Sequence, residues 1–261
     1  MNIAYKNPGF THSIESISSF LTGDETAFWS APILHFYPQI DKDVFMSYSR
    51  SDKQKYLNDV FGDIYTDLKE ELDRKVICYN DHFQSHKRQI EHALSDAFDL
   101  DASCAFNDLT GNVTLNPICP RFLKEHYFDV FYMNSERGAL GLSLHEVIHY
   151  FWFYVWNNHF GDSYDEYETP SLKWILSEMV VETIMSDKRL SSLNPYFPKE
   201  NGGCIYPYFQ NMIVDGSPIL DTIDALYHRN SITDFMEEAY TYCIKHENEI
   251  RKHIEVAENT Y

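Results

Sequence analysis

His145 and His149 are the residues whose types and spacing most directly suggest chemistry. They open and close the sequence His-Glu-Val-Ile-His at 145–149, within a long apolar segment that we predict to be helical. Side chains four residues apart lie on the same face of an α-helix, so both imidazoles can bind one zinc ion. Glu146 can take a proton from a water molecule that the metal activates. The pattern therefore predicts a zinc site with a carboxylate as general base.

A catalytic zinc site needs a third protein ligand and one position open to water. The metzincin pattern, with glycine at 152 and histidine at 155, does not fit because this chain has Trp152 and Val155. Glu178 is the preferred third ligand, since it lies on a predicted helix of mostly apolar residues and a buried carboxylate requires a partner. Glu182, one turn later, is the second candidate.

A third candidate ligand is Asp162 or Asp165, from the acidic loop that follows the predicted metal helix. The alternative without metal is a helix whose two histidines are ordinary core or surface groups. Two imidazoles and a carboxylate among residues such as Leu144 and Phe151 would cost free energy unless something satisfied them. We therefore favour the metal site.

Residues 142–185 resemble the gluzincin metallopeptidases, the group of thermolysin and several aminopeptidases. The motif at 145–149 is followed by Trp-Ile-Leu-Ser-Glu at 174–178 on a second predicted helix. In that group the third zinc ligand is a glutamate on a helix after the motif, usually preceded by asparagine, where this chain has Ser177. The resemblance implies Zn²⁺ held by His145, His149 and Glu178. It also implies that Glu182 replaces the aspartate that orients the first histidine.

The resemblance further implies hydrolysis of a peptide or amide bond in a peptide or protein substrate. Zinc would polarise the carbonyl and lower the pKa of water, and Glu146 would carry the proton to the leaving amine. The oxyanion needs another donor, which gluzincins take from a downstream tyrosine or histidine. Tyr227 and His228 are preferred, because they lie near a predicted helix end, and Tyr206 and Tyr208 are the alternatives. The aminopeptidase Gly-x-Met-Glu-Asn motif is absent, which argues against specificity for a terminal amine.

Two other functions fit the same residues. The first is a catalytically idle zinc-binding or peptide-binding protein on a zincin scaffold. The presence of Glu146 argues against it, because structural zinc sites usually have four protein ligands and need no base. The second is a helical interaction protein that binds no metal.

The composition narrows the classes of partner. The formal net charge is −19 and the pI is about 4.9, so the surface repels phosphate backbones and we expect no nucleic-acid partner. The five cysteines show no C-x-x-C spacing, which is typical of reduced thiols in a cytosolic protein. The apolar run Tyr150–Trp156 is too short to span a bilayer, and residues 1–10 contain no secretory signal. We therefore expect a cytoplasmic protein without a membrane partner, of unspecified oligomeric state.

The elements that must position these residues are mainly helical. We predict a helical N-terminal part at 1–100 and a zincin-like catalytic part at 101–261, joined in one unit. Hydrophobic periodicity predicts helices at 11–21, 51–74, 80–98, 170–187, 219–228, 232–256 and a metal helix from 135–140 to 160. Gly161 is the expected C-cap of the metal helix, and Ser231 the expected N-cap of the last helix. Short strands at 113–115 and 128–133 predict an α+β fold with a small mixed sheet beside the metal helix.

Overall fold

Most of the chain forms helices, and the computed structural model describes residues 1–22 and 27–258. The helices are α1 (Phe10–Thr22), α2 (Ala27–Phe36), α3 (Lys42–Ser47), α4 (Arg50–Phe98), α5 (Glu136–Phe160), α6 (Leu172–Met185), α7 (Lys188–Ser191), α8 (Pro207–Gln210), α9 (Ile219–Arg229), α10 (Ile232–Lys245) and α11 (Glu247–Glu258). The strands are β1 (Ile3–Lys6), β2 (Leu109–Thr114), β3 (Arg121–Phe122), β4 (Tyr127–Phe131), β5 (Ile213–Val214) and β6 (Ser217–Pro218).

The main sheet has four strands in the order β1-β2-β4-β3. Strands β1, β2 and β4 are parallel, and β3 pairs antiparallel with β4 at one edge. The mixed sheet and the α+β class agree with the prediction. Strands β1 and β3 were not predicted, because four and two residues carry too little periodicity and their partners are distant in sequence. Strands β5 and β6 form a separate hairpin.

Helix α5 carries the predicted metal motif and lies in the interior. Ser135 caps its start by accepting a hydrogen bond from the Gly138 N–H at 3.0 Å, and Gly161 ends it in a left-handed conformation with φ 73°. The helix is apolar on most sides, as expected of a buried helix. It packs against α4, α6, α10 and β4. Both predicted ends of the metal helix are confirmed.

Helix α4 corrects one prediction. Two helices at 51–74 and 80–98 were expected, whereas one helix of 49 residues begins after the N-cap Ser49. No glycine or proline interrupts residues 75–79. The buried stripe continues through Leu72, Tyr79 and Phe83 at spacings of seven and four. The Tyr79 hydroxyl also donates to the Asn134 carbonyl at 2.7 Å, so packing sustains the helix where its propensity is lower.

The C-terminal helix predicted at 232–256 is also corrected. Ser231 caps its start as expected, with the Asp234 N–H donating to the Ser231 hydroxyl at 3.2 Å. The helix ends at Lys245, however, and α11 begins at Glu247. The change of direction lets α11 pack against α8 while Ile250 is fully buried. No glycine or proline marks this break, so local sequence carries no signal for it.

The sheet and the metal helix are joined by a hydrogen bond that follows the metal motif directly. The Tyr150 hydroxyl lies 2.6 Å from the Tyr127 carbonyl and 3.0 Å from the Phe122 carbonyl. This arrangement places strand β3 beside the histidines of α5. On the N-terminal side, β1 pairs with β2 and α4 packs against α5. Among the described residues, no helix combines the length and apolar character needed to cross a membrane.

Candidate metal centre

Helix α5 brings the two motif histidines together. The Nε2 atoms of His145 and His149 lie 3.0 Å apart. His149 is fully buried, whereas the His145 side chain is 15% exposed. The Nδ1 atom of His145 donates a hydrogen bond to the Cys204 carbonyl at 2.7 Å. That bond fixes the tautomer and leaves the Nε2 lone pair available to a metal.

Glu146 completes a cluster that could hold a metal ion. The candidate ligand atoms of His145, Glu146 and His149 all lie within 4.8 Å of one another. The Glu146 side chain is buried, and its Oε1 atom lies 4.0 Å from His145 Nε2. This carboxylate therefore lies beside the paired imidazoles.

Glu178 reaches the same point from helix α6. One of its carboxylate oxygens lies 3.3 Å from His145 Nε2, and the other lies 3.4 Å from His149 Nε2. The side chain is 1% exposed. Helix α6 is buried on most sides and packs against α5, α9 and α10, so a carboxylate at this position lies in the interior. The structure thus brings together His145, His149 and Glu178, as the sequence predicted.

Arg121 is a component that sequence reasoning missed. Its Nη1 atom lies 3.1 Å from Glu178 Oε1 and 3.8 Å from Glu146 Oε2, and its side chain is only 10% exposed. It stands on the two-residue strand β3, which becomes part of the site only through its pairing with β4. No local pattern identifies such a residue. Its positive charge offsets part of the charge of two buried carboxylates.

The environment pushes the pKa values of the two carboxylates in opposite directions. Burial raises the pKa of Glu146, although His145 and Arg121 oppose the shift. Burial also acts to raise the pKa of Glu178, but His149, His145 and Arg121 outweigh it and hold that pKa well below its ordinary value. Glu178 therefore stays ionised, as a metal ligand must. Glu146 is better suited to accept a proton.

The two imidazoles also differ. Burial and the Arg121 cation lower the pKa of His149 to about 3, so this ring stays neutral. Burial opposes protonation of His145, but the carboxylates of Glu146 and Glu178 raise its pKa above the ordinary value. Both rings face the Glu178 carboxylate, so their protonation is coupled. A divalent cation would replace the proton that His145 attracts.

A cleft of about 720 Å³ opens beside the site. Two residues of the metal motif, His145 and Glu146, lie on its wall, and several other lining residues are apolar. These apolar residues include Pro32, Phe36, Pro117, Ile118, Leu142 and Ile205. The cleft therefore gives the candidate centre access to a molecule with apolar side chains.

Comparison with protein-family models, curated proteins and solved structures found no match for this chain.

Glu182 does not contact the histidine rings. Its carboxylate accepts a hydrogen bond from the Cys204 thiol at 3.2 Å, and the backbone carbonyl of Cys204 accepts from His145. Glu182 and His145 therefore share a hydrogen-bonded neighbour, Cys204, and the orienting role of Glu182 stays a prediction. The alternative in which Glu182 is the third ligand is not supported by its position.

The two aspartates considered as third ligands lie elsewhere. Asp162 accepts from Trp156 Nε1 at 2.8 Å and pairs with Lys173 at 2.6 Å. The Asp165 side chain is 79% exposed and pairs with Lys124. The basic partner of Asp162 lies at the start of α6, and that of Asp165 lies between β3 and β4. The structure brings neither of them to the imidazoles.

The preferred oxyanion donors are not brought to the centre. The Tyr227 ring packs edge-on against Phe235 with centroids 5.3 Å apart, and the His228 side chain is 63% exposed and lies 3.4 Å from Asp224. Neither residue lines the cleft. Helix α9, which carries both, packs on α6 and α10. The packing of α9 on its neighbours, and not its position in the sequence, determines the direction in which Tyr227 and His228 project.

Tyr206, one of the alternative donors, does line the cleft. Burial and the Glu178 carboxylate raise its pKa well above the ordinary value, so its hydroxyl keeps its proton and can donate. The Tyr206 and Tyr208 rings stack in parallel with centroids 5.3 Å apart. This stacking restricts the orientation of the Tyr206 ring at the cleft.

Proposed function

We propose that this protein is a zinc-dependent peptidase that cleaves a peptide or protein substrate, with Glu146 as general base. The observation that carries the proposal is the convergence of His145, His149 and Glu178. Their closest donor atoms are separated by 3.0, 3.3 and 3.4 Å. Ligands about 2.0–2.1 Å from a tetrahedral zinc ion stand about 3.3 Å from each other. Two imidazole nitrogens and a carboxylate whose two oxygens each face one of them thus have spacings close to those of ligands on one zinc ion.

The hydrogen bonds and pKa values of the candidate ligands also suit a metal site. The Cys204 carbonyl accepts a hydrogen bond from His145 Nδ1, as expected for a histidine whose Nε2 binds a metal. The pKa of Glu178 is held low and that of His149 is lowered. Both groups therefore have the protonation states that metal ligands need. The exposed fraction of His145 and the cleft beside it support access of water and substrate.

The chemistry of the reaction is divided between the metal and the chain. A bound zinc ion would lower the pKa of water and polarise the substrate carbonyl. Glu146 accepts the proton of the attacking water and delivers it to the leaving nitrogen, a role that its raised pKa favours. Tyr206 supplies a hydroxyl donor on the cleft wall. Arg121 keeps Glu178 in place through its contact at 3.1 Å.

The arrangement also supports the gluzincin interpretation and a zincin-like fold. The third candidate ligand, Glu178, comes from α6, the first long helix after the motif helix. The sheet contributes three parallel strands and an antiparallel edge strand, β3, which lies next to the motif through Tyr150. Such an edge strand beside a metal helix is suited to an extended peptide.

The test combines metal content with hydrolysis. The protein expressed with added zinc is expected to contain about one zinc ion per chain and to cleave denatured casein in a chelator-sensitive reaction. Glu146→Gln should retain the metal and lose activity by at least about 100-fold, because a positioned general base contributes about 10²–10⁴-fold. Asp165→Asn, a change to an exposed acid outside the cleft, serves as the matched control. Full activity in Glu146→Gln would overturn the assignment of the base.

A catalytically idle metal-binding protein is the second candidate, and Arg121 is the observation that favours it. Its guanidinium donates a hydrogen bond to Glu178 Oε1 at 3.1 Å. The carboxylate of the third candidate ligand is therefore already paired with a cation of the chain. Zinc uptake without hydrolysis of casein would support this alternative. Failure to take up zinc during metal-replete expression would leave a helical interaction protein.

A further inference from the structure

The two carboxylate oxygens of Glu178 have different partners. Oε1 accepts a hydrogen bond from Arg121 Nη1 at 3.1 Å. Oε2 lies 3.3 Å from His145 Nε2, and it has no hydrogen-bond partner in the part of the chain that the structure describes. A buried carboxylate oxygen without a partner costs free energy. Oε2 is therefore the oxygen that still requires a positive group.

The contact between Glu178 Oε2 and His145 strengthens this requirement. His145 Nδ1 donates a hydrogen bond to the Cys204 carbonyl at 2.7 Å, so Nε2 of the neutral ring carries a lone pair and no proton. Two atoms that both accept hydrogen bonds therefore face each other at 3.3 Å. Their negative partial charges repel unless a cation lies beside both. A metal ion bound by His145 Nε2 and Glu178 Oε2 would remove that repulsion.

Arg121 opposes binding of the same ion to Glu178 Oε1. This oxygen lies 3.4 Å from His149 Nε2, so without the guanidinium both oxygens could bind one ion. With the guanidinium 3.1 Å away, a divalent cation on Oε1 would lie close to a like charge. The Arg121 side chain is 10% exposed and that of Glu178 is 1% exposed, so water screens this repulsion poorly. The charge of Arg121 therefore favours Oε2 as the ligand atom.

The sheet fixes Arg121 where it faces both carboxylates of the centre. Strand β3 pairs with β4, and the Tyr150 hydroxyl donates a hydrogen bond to a carbonyl of β3 at 3.0 Å. Arg121 Nη1 also lies 3.8 Å from Glu146 Oε2, while Glu146 Oε1 lies 4.0 Å from His145 Nε2. Glu146 and Glu178 thus each present one oxygen to Arg121 and the other to His145.

We propose that Arg121 is a positioning residue that limits Glu178 to one ligating oxygen, Oε2, and so keeps one coordination position of the metal free for water. The inference rests on the metal-binding part of the proposed function and deepens it. A carboxylate that binds through both oxygens would fill two coordination positions. One oxygen and the two histidines make three protein ligands, the number that a catalytic zinc site uses.

The experiment measures the distance from the metal ion to each Glu178 oxygen. Crystal structures of the full-length, zinc-loaded protein are determined for the unsubstituted chain, Arg121→Met and Arg121→Lys. The same proteins are loaded with Co²⁺, whose visible absorption weakens as its coordination number rises. Arg74→Met, which removes an arginine from an exposed pair with Glu71, is the matched control. Elemental analysis measures the metal content of each protein.

In the unsubstituted protein we expect Glu178 Oε2 at about 2.0–2.2 Å from zinc, the usual distance for a carboxylate ligand. Oε1 should stay with Arg121, outside bonding distance of the ion. In Arg121→Met both oxygens should lie within bonding distance, and the Co²⁺ absorption should lose intensity. Arg121→Lys keeps a cationic donor and should restore the single ligating oxygen, which a general loss of stability would not explain. Arg74→Met should match the unsubstituted protein.

Ligation through Glu178 Oε1, or through both oxygens equally, in the unsubstituted protein would overturn the inference, and this result does not depend on the folding of a variant. A single ligating oxygen in Arg121→Met, with an unchanged Co²⁺ spectrum, would also overturn it. In both cases the metal is bound, so the proposed peptidase would stand. An unsubstituted protein that takes up neither Zn²⁺ nor Co²⁺ would overturn the proposed function and this inference together.

Discussion

Two clusters in this protein pair histidines with buried carboxylates, and they differ in how far their polar atoms are satisfied. In the first, Asp129 of strand β4 accepts from His12 at 2.8 Å and Asn112 at 3.2 Å through Oδ1, and from Ser16 at 2.7 Å through Oδ2. Both carboxylate oxygens are thus occupied by protein donors. This cluster joins α1 to the sheet.

The second cluster, at the candidate metal centre, has a surplus of acceptors. His145 and His149 present their Nε2 atoms to each other and to Glu178. Within the described ranges, Glu146 Oε2 has no hydrogen-bond partner. Asp129 and Glu178 are both almost fully buried, so burial does not separate a structural acid from a functional one. The two acids differ in how far protein donors satisfy them: both Asp129 oxygens accept hydrogen bonds, whereas Arg121 donates to Glu178 Oε1 and, among the described residues, Glu178 Oε2 has no hydrogen-bond partner.

The largest expected effect tests the role of charge in the second cluster. Arg121→Met leaves Glu146 and Glu178 without their cation, and removing one partner of a buried pair costs about 3–5 kcal/mol. The free energy of unfolding of the metal-free protein, from urea titration, should fall by that amount. Zinc should restore much of the loss, because it supplies the missing charge. Arg74→Met, at an exposed pair with Glu71, should change stability little. An equal loss with and without zinc would contradict this account.

A smaller effect concerns metal binding itself. Zinc at 100 times its Kd should stabilise the metal-free protein by about 2.7 kcal/mol, since it binds the folded state alone. Glu178→Gln should abolish this shift in a thermal melt, because the third charged ligand is lost. Asp129→Asn should preserve the shift. A full shift in Glu178→Gln would show that a different acid, such as Glu146, completes the site.

Asp129→Asn should instead affect stability alone. The change leaves donors of His12 and Ser16 facing an amide that cannot accept from all of them. The expected loss is about 1–3 kcal/mol in the free energy of unfolding, the usual cost of unsatisfied buried groups. Zinc content, measured by elemental analysis, should not change. Loss of zinc in this variant would show that the two clusters are coupled across the sheet.

The smallest effect is a pH dependence of the first cluster. The hydrogen bond to Asp129 raises the pKa of His12 above its ordinary value of about 6.5, against the opposing effect of burial. A group with a raised folded-state pKa stabilises fully below its unfolded pKa and loses that contribution as pH rises through the folded value. The Tm difference between the unsubstituted protein and His12→Gln should therefore be largest below about pH 6.5 and shrink on going to higher pH. His253→Gln, a histidine change at an exposed position of α11, is the matched control variant.

The contrast between the clusters also explains which site residues could be predicted. The spacing of His145 and His149 on a helix predicts their convergence, because α-helical geometry is local. Glu178 was predicted because a carboxylate on a helix as apolar as α6 is expected to be buried and to require a partner. Arg121 was missed, since it lies on a two-residue strand. Tyr227 and His228 were chosen by their position near a helix end, and the packing of α9 directs them away.

The sequence alone determined the helical character of the chain, the boundaries of α5, the α+β class and the residues that can bind a metal. These features follow from hydrophobic periodicity, capping residues and the turn of the α-helix, all of which act over a few residues. Only the tertiary structure decided the continuity of α4, the sheet order and the cation placed between Glu146 and Glu178. It also selected Tyr206 rather than Tyr227 for the cleft wall. Those features depend on contacts between residues far apart in sequence, which no local pattern records.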